Sequence, residues 1–380
     1  MAMRNLPLPT IGLAGSYGGL NTGDEAILTV VIAQLRAAIP GARIVVFSRD
    51  PGHTRSHHVV DQVVAAREAS RGELVDCLGG LDLLLLGGGG LLYDREAESY
   101  LHVVRTAQKV GVPTATYAIG AGPLERPADR MAVADVLNRM ELVTVREATS
   151  RRLLEEIGVE REVVVTADPA LLLEPALVEH SALDDLGDGR RLVGLSVRER
   201  GGASAESDGH PFHTLLATAA DFIVERFDAH AVFVPMERGD IGEAHRVISE
   251  MARPECATVL KGPYDPPELR AIIGQFEMAI GMRLHFLIFA ASAGVPVAAL
   301  PYASKVRSFL DSIGLPGPEP STATHAGHLL AAIDRLWDLR VEQQRCVAGR
   351  LPGLREAATR TTTLTAELLR TDAAAAAREA

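Results

Sequence analysis

The sequence predicts two doubly wound α/β domains in tandem. Its 380 residues suit two domains at roughly 150 residues each. Short apolar runs alternate with helical patterns, the alternation stops in a polar segment at 174–191, and it then restarts. The runs are apolar throughout, which is typical of parallel strands covered by helices on both faces. We therefore expect a ligand in a cleft between the domains, beyond the carboxyl ends of the strands.

The first predicted domain, residues 1–175, is Rossmann-like. Its strands are short runs rich in apolar residues, and its helices repeat apolar residues at spacings of three and four. We predict strands at 10–15, 42–48, 81–87, 113–120 and 141–147, and helices at 24–39, 99–111, 128–140 and 149–158. The segment 162–173 closes the series with a last strand that Asp168 and Pro169 end.

The second predicted domain, residues 190–325, repeats this pattern and is followed by a helical segment at 326–380. We predict strands at 191–198, 230–236, 257–262, 277–282 and 296–301, and helices at 213–227, 241–252, 266–276, 284–294 and 304–314. The same alternation in both halves indicates the same type of fold twice.

Composition excludes several functional classes. The net charge of −11 argues against nucleic acid as a partner. Cys77, Cys256 and Cys346 are far apart and odd in number, which is typical of a reduced chain without disulfides or a zinc site. No apolar stretch approaches the ~20 residues of a membrane span, and the apolar run at the N-terminus is too short and broken for a signal peptide. We expect a cytoplasmic protein, either free or peripheral at the inner face of the membrane. The sequence does not indicate its oligomeric state.

A glycine-rich loop follows the first predicted strand. The segment GSYGGLNTGDEAIL (15–28) ends a strand, turns and begins a helix near Asp24. Backbone N–H groups at such a helix start can hold an anion. The loop matches neither a P-loop nor G-x-G-x-x-G. A tight turn capped by Asp24 is the alternative interpretation.

A second glycine-rich segment, LLLLGGGGLLYD (83–94), follows a buried strand. Its four consecutive glycines, which include Gly88 and Gly89, are more than a turn requires. Glycines remove side-chain bulk where another group comes close. We therefore expect this segment to line the ligand cleft, with close strand–helix packing as the alternative.

Basic side chains follow several strands at the expected cleft. Arg146 ends the strand in VTVREATS, Arg283 and His285 open the helix in GMRLHFLIFAASAG, and Lys305 and Arg198 also follow strands. Arginine can bind a phosphate or carboxylate through two hydrogen bonds. Histidine exchanges protons near neutral pH. A local Arg146–Glu147 pair and a structural His285 are the alternatives.

Other polar residues carry weaker signals. Asp168 and Asp240 follow strands, and Arg307 is expected to be a solvated helix residue. The histidines of HTRSHH (53–58) have no carboxylate or thiol partners at ligand spacing, so we expect a solvated loop and no metal site.

These motifs together resemble the polysaccharide pyruvyl transferases. The elements NTGDEAIL, LLLLGGGGLLYD, VTVRE, TADPALLL, GMRLHFLIFA and PYASKVRSFL occur in the family's order across about residues 11–310. The family's R-L-H falls on Arg283, Leu284 and His285, and its V-R-[DE] arginine falls on Arg146. Glu147 replaces the more usual Asp.

The resemblance implies a glycosyltransferase-B-like arrangement and a reaction. Members transfer a pyruvyl unit from phosphoenolpyruvate to two hydroxyls of a sugar, forming a cyclic ketal and releasing phosphate. On this basis Arg283 and His285 are the expected catalytic residues, with His285 as the acid that protonates C3 of the donor. Substrate contacts are also expected from Arg146, Lys305 and Arg198. The second domain is the expected donor side, and acceptor contacts are expected from the N-terminal domain, near Asn21, Asp24, Gly88 and Gly89.

The resemblance also implies the partners, which are phosphoenolpyruvate and a sugar or lipid-linked glycan acceptor. No cofactor and no metal are required. A glycosyltransferase that uses a nucleotide sugar is the rival enzyme, although no E-x₇-E-type element for a nucleotide is evident. If the chain is not an enzyme, the alternative is a sugar-binding or scaffolding protein that has kept the fold.

Overall fold

The computed structural model describes residues 8–19, 21–177, 183–184, 186, 189–198, 212–300, 304–317 and 325–379. The chain forms two compact units. The first comprises the described parts of Met1–Leu20, Asp24–Leu173 and Leu354–Ala380, and the second those of Asn21–Gly23 and Glu174–Gly353.

The first unit alternates strands and helices along the chain. Its strands are β1 (Thr10–Ala14), β2 (Arg43–Ser48), β3 (Gln62–Ala65), β4 (Leu83–Leu86), β5 (Gly89–Leu92), β6 (Thr114–Thr116), β7 (Ile119–Ala121), β8 (Val143–Val145) and β9 (Val163–Val165). Its helices are α1 (Thr22–Ala38, whose first two residues are counted with the second unit), α2 (Pro51–His57), α3 (Arg71–Gly79), α4 (Ala97–Lys109), α5 (Pro127–Leu137) and α6 (Ala148–Glu156).

These strands form two parallel sheets. One has the order β3-β2-β1-β4-β6 and the other β5-β7-β8-β9. The first strand of the larger sheet lies at its centre, as in Rossmann-like folds. Ligand sites in such sheets lie at the carboxyl ends of the strands where the order reverses, which here are β1 and β4.

The structure differs from the predicted elements at a few places. The predicted strand 113–120 is divided into β6 and β7, because the chain turns at Ala118 with φ of 49°. In the segment 162–173 the strand β9 ends before Asp168, and Pro169–Leu172 forms a 3-10 helix. Part of the second glycine-rich segment is itself the strand β5.

The segment 53–58 was wrongly predicted to be a solvated loop. It lies largely within α2, whose first turn is capped by the Asp50 side chain accepting from the backbone N–H of His53 at 3.0 Å. His58 ends this helix, is buried, and its Nε2 lies 2.8 Å from Oε2 of Glu25. A buried partner 33 residues away in sequence explains why the local pattern did not reveal it.

The second unit contains one parallel sheet of five strands. Its strands are β10 (Arg191–Ser196), β11 (Ala229–Phe233), β12 (Ala257–Val259), β13 (Met278–Gly281) and β14 (Val297–Ala299). Its helices are α7 (Phe212–Phe227), α8 (Arg238–Ser249), α9 (Pro266–Ile273), α10 (Leu284–Ser292), α11 (Ser304–Ser312) and the first part of α12 (Ala326–Glu379). The order β12-β11-β10-β13-β14 again has the first strand at the centre, so β10 and β13 flank the reversal.

The last helix, α12, contributes to both units. Near its start, Leu329, Ile333 and Leu336 pack into the apolar core of the second unit. From Leu354 onward it is part of the first unit, where Thr361 Oγ1 donates to Thr166 Oγ1 at 2.9 Å. Among the described residues, no helix is both long enough and apolar enough to cross a bilayer.

Candidate functional site

Arg283 lies at the carboxyl end of β13, immediately before α10. It has extended backbone geometry, with φ of −83° and ψ of 120°, and its side chain is buried. Its Nε donates to Asp240 Oδ2 at 3.0 Å, and its Nη2 donates to Asp240 and to Glu237. No described residue accepts a hydrogen bond from Nη1. The guanidinium is thus held on one side by two carboxylates, which leaves one nitrogen for a ligand.

Both carboxylates come from the junction between β11 and α8. Glu237 is the N-cap of α8, and Asp240 closes a capping box by accepting from the backbone N–H groups of Met236 and Glu237 at 3.0 and 3.2 Å. The helix start therefore fixes Asp240, and Asp240 in turn fixes Arg283.

The pKa values in this cluster move in different directions. Burial raises the pKa of Asp240 and outweighs the hydrogen bonds from Arg283. Burial also raises the pKa of Glu237, but the charge and hydrogen bond of Arg283 outweigh it and lower that pKa overall. Burial alone would lower the pKa of Arg283, whereas its two acidic partners raise it. Arg283 therefore stays charged despite its burial.

Asn21 connects the start of α1 to this cluster. Its Nδ2 donates to Glu237 Oε2 at 3.1 Å, and its Oδ1 accepts from the backbone N–H of Gly23 at 3.0 Å. The backbone N–H of Thr22 donates to the carbonyl of Met236 at 2.8 Å. Both ends of the Asn21 amide are therefore engaged within the second unit. Its predicted contact with an acceptor stays a prediction.

His285 lies in the first turn of α10 and is half-buried. Its ring packs against the backbone of Gly23, because a Cβ added to Gly23 would be 1.9 Å from Nδ1. Any residue with a side chain at position 23 would displace this imidazole. The imidazole of His285 can therefore occupy this position only because residue 23 is glycine.

Two further predicted cations lie at the same edge of this sheet. Arg198 follows β10 and is close enough to Glu237 to help lower the pKa of that carboxyl. Lys305 is the second residue of α11, which follows β14, the strand beside β13. Tyr302 of the PYASKVRSFL segment lies outside the described residues. The structure therefore groups Arg198 with Arg283 and places Lys305 at the next strand-to-helix junction.

Arg146 is buried at the end of β8 in the first unit. Its Nε donates to Glu147 Oε2 at 2.8 Å, and its Nη1 donates to Asp168 Oδ2 at 2.9 Å. The local pair with Glu147 that the sequence allowed is present, and Asp168 adds a second carboxylate. Burial lowers the pKa of Arg146, but these two partners raise it overall. Its Nη2 faces Gly120, where an added Cβ would lie at 2.8 Å.

The predicted residues of the glycine-rich segments pack closely in the first unit. A Cβ on Gly88 would be 2.8 Å from Ile27, and one on Gly89 would be 3.0 Å from Asp24 Oδ1. Gly89 also has φ of +98°, a conformation that side-chain-bearing residues rarely adopt. Glu25 accepts from the backbone N–H of Gly18 at 2.8 Å. These contacts are the close strand–helix packing that the sequence allowed. They place the carboxylate of Asp24 next to Gly89.

Some residues of the site were not anticipated. Glu237 and the buried Glu25–His58 pair were missed, and Asp240 and Asp168 were recognised only as weak candidates. The sequence E-R-G-D at 237–240 has the spacing of a capping box, which was an available signal for the start of α8. Among the described residues, no group of three or more His, Cys, Asp or Glu side chains is arranged to hold a metal ion.

A protein-family model matches most of the chain. The model of the family described as polysaccharide pyruvyl transferase matches residues 21–304. That range includes Asn21, Arg146, Arg283 and His285. No curated protein matches the chain by sequence.

Solved structures resemble the chain over nearly its whole length. A UDP-GlcNAc 2-epimerase from Neisseria meningitidis bound to UDP-GlcNAc has a TM-score of 0.62 at 10% identity, covering 94% of this chain and 99% of that one. A glycosyltransferase from Rickettsia africae ESF-5 has a TM-score of 0.62 at 11% identity, with 96% and 99% covered. The UDP-GlcNAc 2-epimerase from Methanocaldococcus jannaschii has a TM-score of 0.59 at 11% identity, with 87% and 93% covered. At such low identity these likenesses show the fold alone, and they confirm the predicted glycosyltransferase-B-like α/β class.

Proposed function

Because the chain belongs to the polysaccharide pyruvyl transferase family, we propose that it transfers a pyruvyl group from phosphoenolpyruvate to two hydroxyls of a sugar. The sugar would be part of a cell-surface polysaccharide or its precursor. The products are a cyclic ketal and inorganic phosphate. Phosphoenolpyruvate is a cytoplasmic metabolite, so the proposal includes a cytoplasmic reaction.

The observation that carries the proposal is the pairing of Arg283 with His285 at the start of α10. The first N–H groups of a helix have no partners within the helix and favour an anion. Arg283 supplies a charged donor there, and its remaining Nη1 is suited to an oxygen of the phosphate or carboxylate. Arg198 and Lys305 would add positive charge, which offsets the two carboxylates that hold Arg283.

His285 is the proposed proton donor. Its imidazolium would transfer a proton to C3 of phosphoenolpyruvate, which makes C2 electrophilic. One sugar hydroxyl attacks C2 and loses its proton, which gives a tetrahedral intermediate that still carries the phosphate. The bond from C2 to the phosphate oxygen then breaks and phosphate leaves, and the second hydroxyl forms the second C2–O bond as it loses its own proton. The acceptor gains the elements of pyruvic acid less one water, and no metal takes part in this scheme.

Arg146 is the proposed contact of the first unit with a substrate. Glu147 and Asp168 occupy Nε and Nη1, and the absence of a side chain at Gly120 keeps Nη2 unobstructed on that side. A guanidinium held on two edges loses little conformational entropy when the remaining nitrogen binds an oxyanion. This arrangement supports the role that the family resemblance implies for Arg146.

The test is product analysis with phosphoenolpyruvate and a panel of lipid-linked and free glycans. We expect phosphate release that depends on the glycan, together with a glycan whose mass rises by pyruvic acid less water. His245→Gln, at an exposed histidine of α8, is the matched control for His285→Gln and should keep this activity. Release of a nucleoside diphosphate from a nucleotide sugar, without phosphate release from phosphoenolpyruvate, would establish the rival glycosyltransferase instead.

A further inference from the structure

Tyr17 is a fully buried tyrosine in the first glycine-rich loop, and no described residue forms a hydrogen bond with its hydroxyl. It follows β1, the central strand of the larger sheet in the first unit. Two other tyrosines of this unit differ in this respect. The hydroxyl of Tyr117 bonds to Thr362 Oγ1, and that of Tyr100 accepts from Arg49 at 2.6 Å. Among the described tyrosines of this unit, Tyr17 is thus the one whose hydroxyl is buried without a hydrogen-bond partner.

Glycines surround this hydroxyl. A Cβ added to Gly87 would lie 1.7 Å from the Tyr17 hydroxyl oxygen, and one added to Gly15 would lie 3.2 Å from it. Phenylalanine would fill the same space without an unpaired polar group, whose burial is unfavourable. A residue that is unfavourable for stability and lies at the carboxyl end of a central strand is expected to have a functional reason.

The charges around Tyr17 indicate the class of ligand. Burial raises the pKa of Tyr17 strongly, and the nearby carboxylates of Asp24 and Glu25 raise it further. The phenol therefore stays protonated and acts as a neutral donor and acceptor of hydrogen bonds. The two carboxylates disfavour an anion such as phosphoenolpyruvate at this position. An uncharged ligand that carries several hydroxyls fits this combination of groups.

We propose that the Tyr17 hydroxyl, together with the carboxylate of Asp24, binds a hydroxyl of a neutral carbohydrate. Asp24 accepts a hydrogen bond from the sugar hydroxyl. The hydroxyl of Tyr17, whose apolar and glycine surroundings offer it no partner, forms a hydrogen bond with the sugar as an uncharged group. Gly15, Gly18 and Gly19 lie in the same loop as Tyr17, and glycine has the widest backbone freedom of all residues. The inference rests on the proposed function, in which the acceptor is a sugar, and it assigns one binding residue to that acceptor.

The first arm of the test is stability, measured as the urea midpoint of Tyr17→Phe and of the matched control Tyr117→Phe. Tyr17→Phe should unfold at the same or higher urea concentration than the parent, since it removes an unsatisfied hydroxyl. Tyr117→Phe should unfold at a lower one, because it leaves Thr362 without its partner. A loss in Tyr17→Phe as large as that in Tyr117→Phe would overturn the proposal and assign the hydroxyl to a structural hydrogen bond or a bound water.

The second arm is binding, measured by saturation-transfer NMR with methyl glycosides of glucose, galactose, mannose and N-acetylglucosamine. We expect at least one to bind the parent and Tyr117→Phe, and to bind Tyr17→Phe at least tenfold more weakly. Equal binding by Tyr17→Phe, or binding of no glycoside by the parent, would overturn the assignment. Titration of all three proteins with phosphoenolpyruvate separates this result from the proposed function. If none of the three proteins binds phosphoenolpyruvate, the proposed function is contradicted. If all three bind phosphoenolpyruvate normally and Tyr17→Phe binds the glycosides as well as the parent does, only the role of Tyr17 is contradicted.

Discussion

Gly23 lies directly against the imidazole of His285, with room for no side chain between them. A Cβ added at this position would be 1.9 Å from Nδ1 and 2.3 Å from Cγ of the ring. Gly23 is the second residue of α1 and is buried. The NTGDEAIL element thus includes a glycine whose absent side chain makes space for the proposed proton donor.

Gly23→Ala is expected to displace His285 and to reduce phosphate release from phosphoenolpyruvate by ~10²-fold, as misplacement of a catalytic group by about 1 Å does. Gly72→Ala is the matched control, since Gly72 is also the second residue of a helix and an added Cβ there meets nothing within 4 Å. Turnover of each variant is measured together with its thermal unfolding. Near-normal turnover in folded Gly23→Ala would contradict the importance of this contact.

His285→Gln keeps much of the side chain's size and polarity but removes the transferable proton. Loss of a general acid typically lowers the rate by ~10²–10⁴. The affinity for phosphoenolpyruvate, measured by calorimetry, should change much less than the rate. If affinity and rate fell by the same factor, His285 would be a binding residue rather than the acid.

Asn21 is expected to act on Arg283 through Glu237. Asn21→Ala removes the 3.1 Å hydrogen bond to Glu237 and should weaken phosphoenolpyruvate binding by about 1 kcal/mol, the usual scale of one hydrogen bond. Asn138→Ala is the matched control, because Asn138 also uses both ends of its amide, donating to Gly158 O and accepting from Glu160 N. Calorimetry should show a loss of affinity for the first variant only. Equal affinities would remove Asn21 from the donor site.

Arg146 should be essential for the stability of its surroundings as well as for its predicted contact with a substrate. Arg146→Met leaves the buried carboxylate of Asp168 and the half-buried carboxylate of Glu147 without their cation. Breaking a buried pair typically lowers the free energy of unfolding by about 3–5 kcal/mol. Adding Asp168→Asn should recover at least about 1 kcal/mol, since one uncompensated charge is removed and the side chain can still accept from Ala170 N. Urea unfolding of the single and double variants measures this. Strictly additive losses would show that the ion pair is not the source of the effect.

The fold was largely predictable from the sequence because its strands are continuously apolar. Leu83–Leu86, for example, is fully buried, and its lack of polar alternation identifies it as a strand covered on both faces. The helix α3 was missed because it is short and polar, although Ser70 and Glu73 form the capping box that marks its start. Local periodicity therefore identified long elements and missed short ones.

The candidate site was predictable only in part. Arg283, His285 and Arg146 follow strands in sequence, so their location at the carboxyl edge of a sheet could be inferred. Their partners could not, because Glu237 and Asp240 lie 46 and 43 residues before Arg283 and meet it only through the parallel arrangement of β11 and β13 around β10. The contact of Gly23 with His285 spans an even longer separation, and no local pattern encodes it.

The most direct test of the account is a calorimetric titration of the purified protein with phosphoenolpyruvate and, separately, with UDP-GlcNAc. The account predicts that phosphoenolpyruvate binds and that UDP-GlcNAc does not compete with it. Arg283→Lys should weaken donor binding at least tenfold, since lysine cannot reproduce the planar fork of hydrogen bonds. Tight binding of UDP-GlcNAc together with no binding of phosphoenolpyruvate would contradict the proposed function.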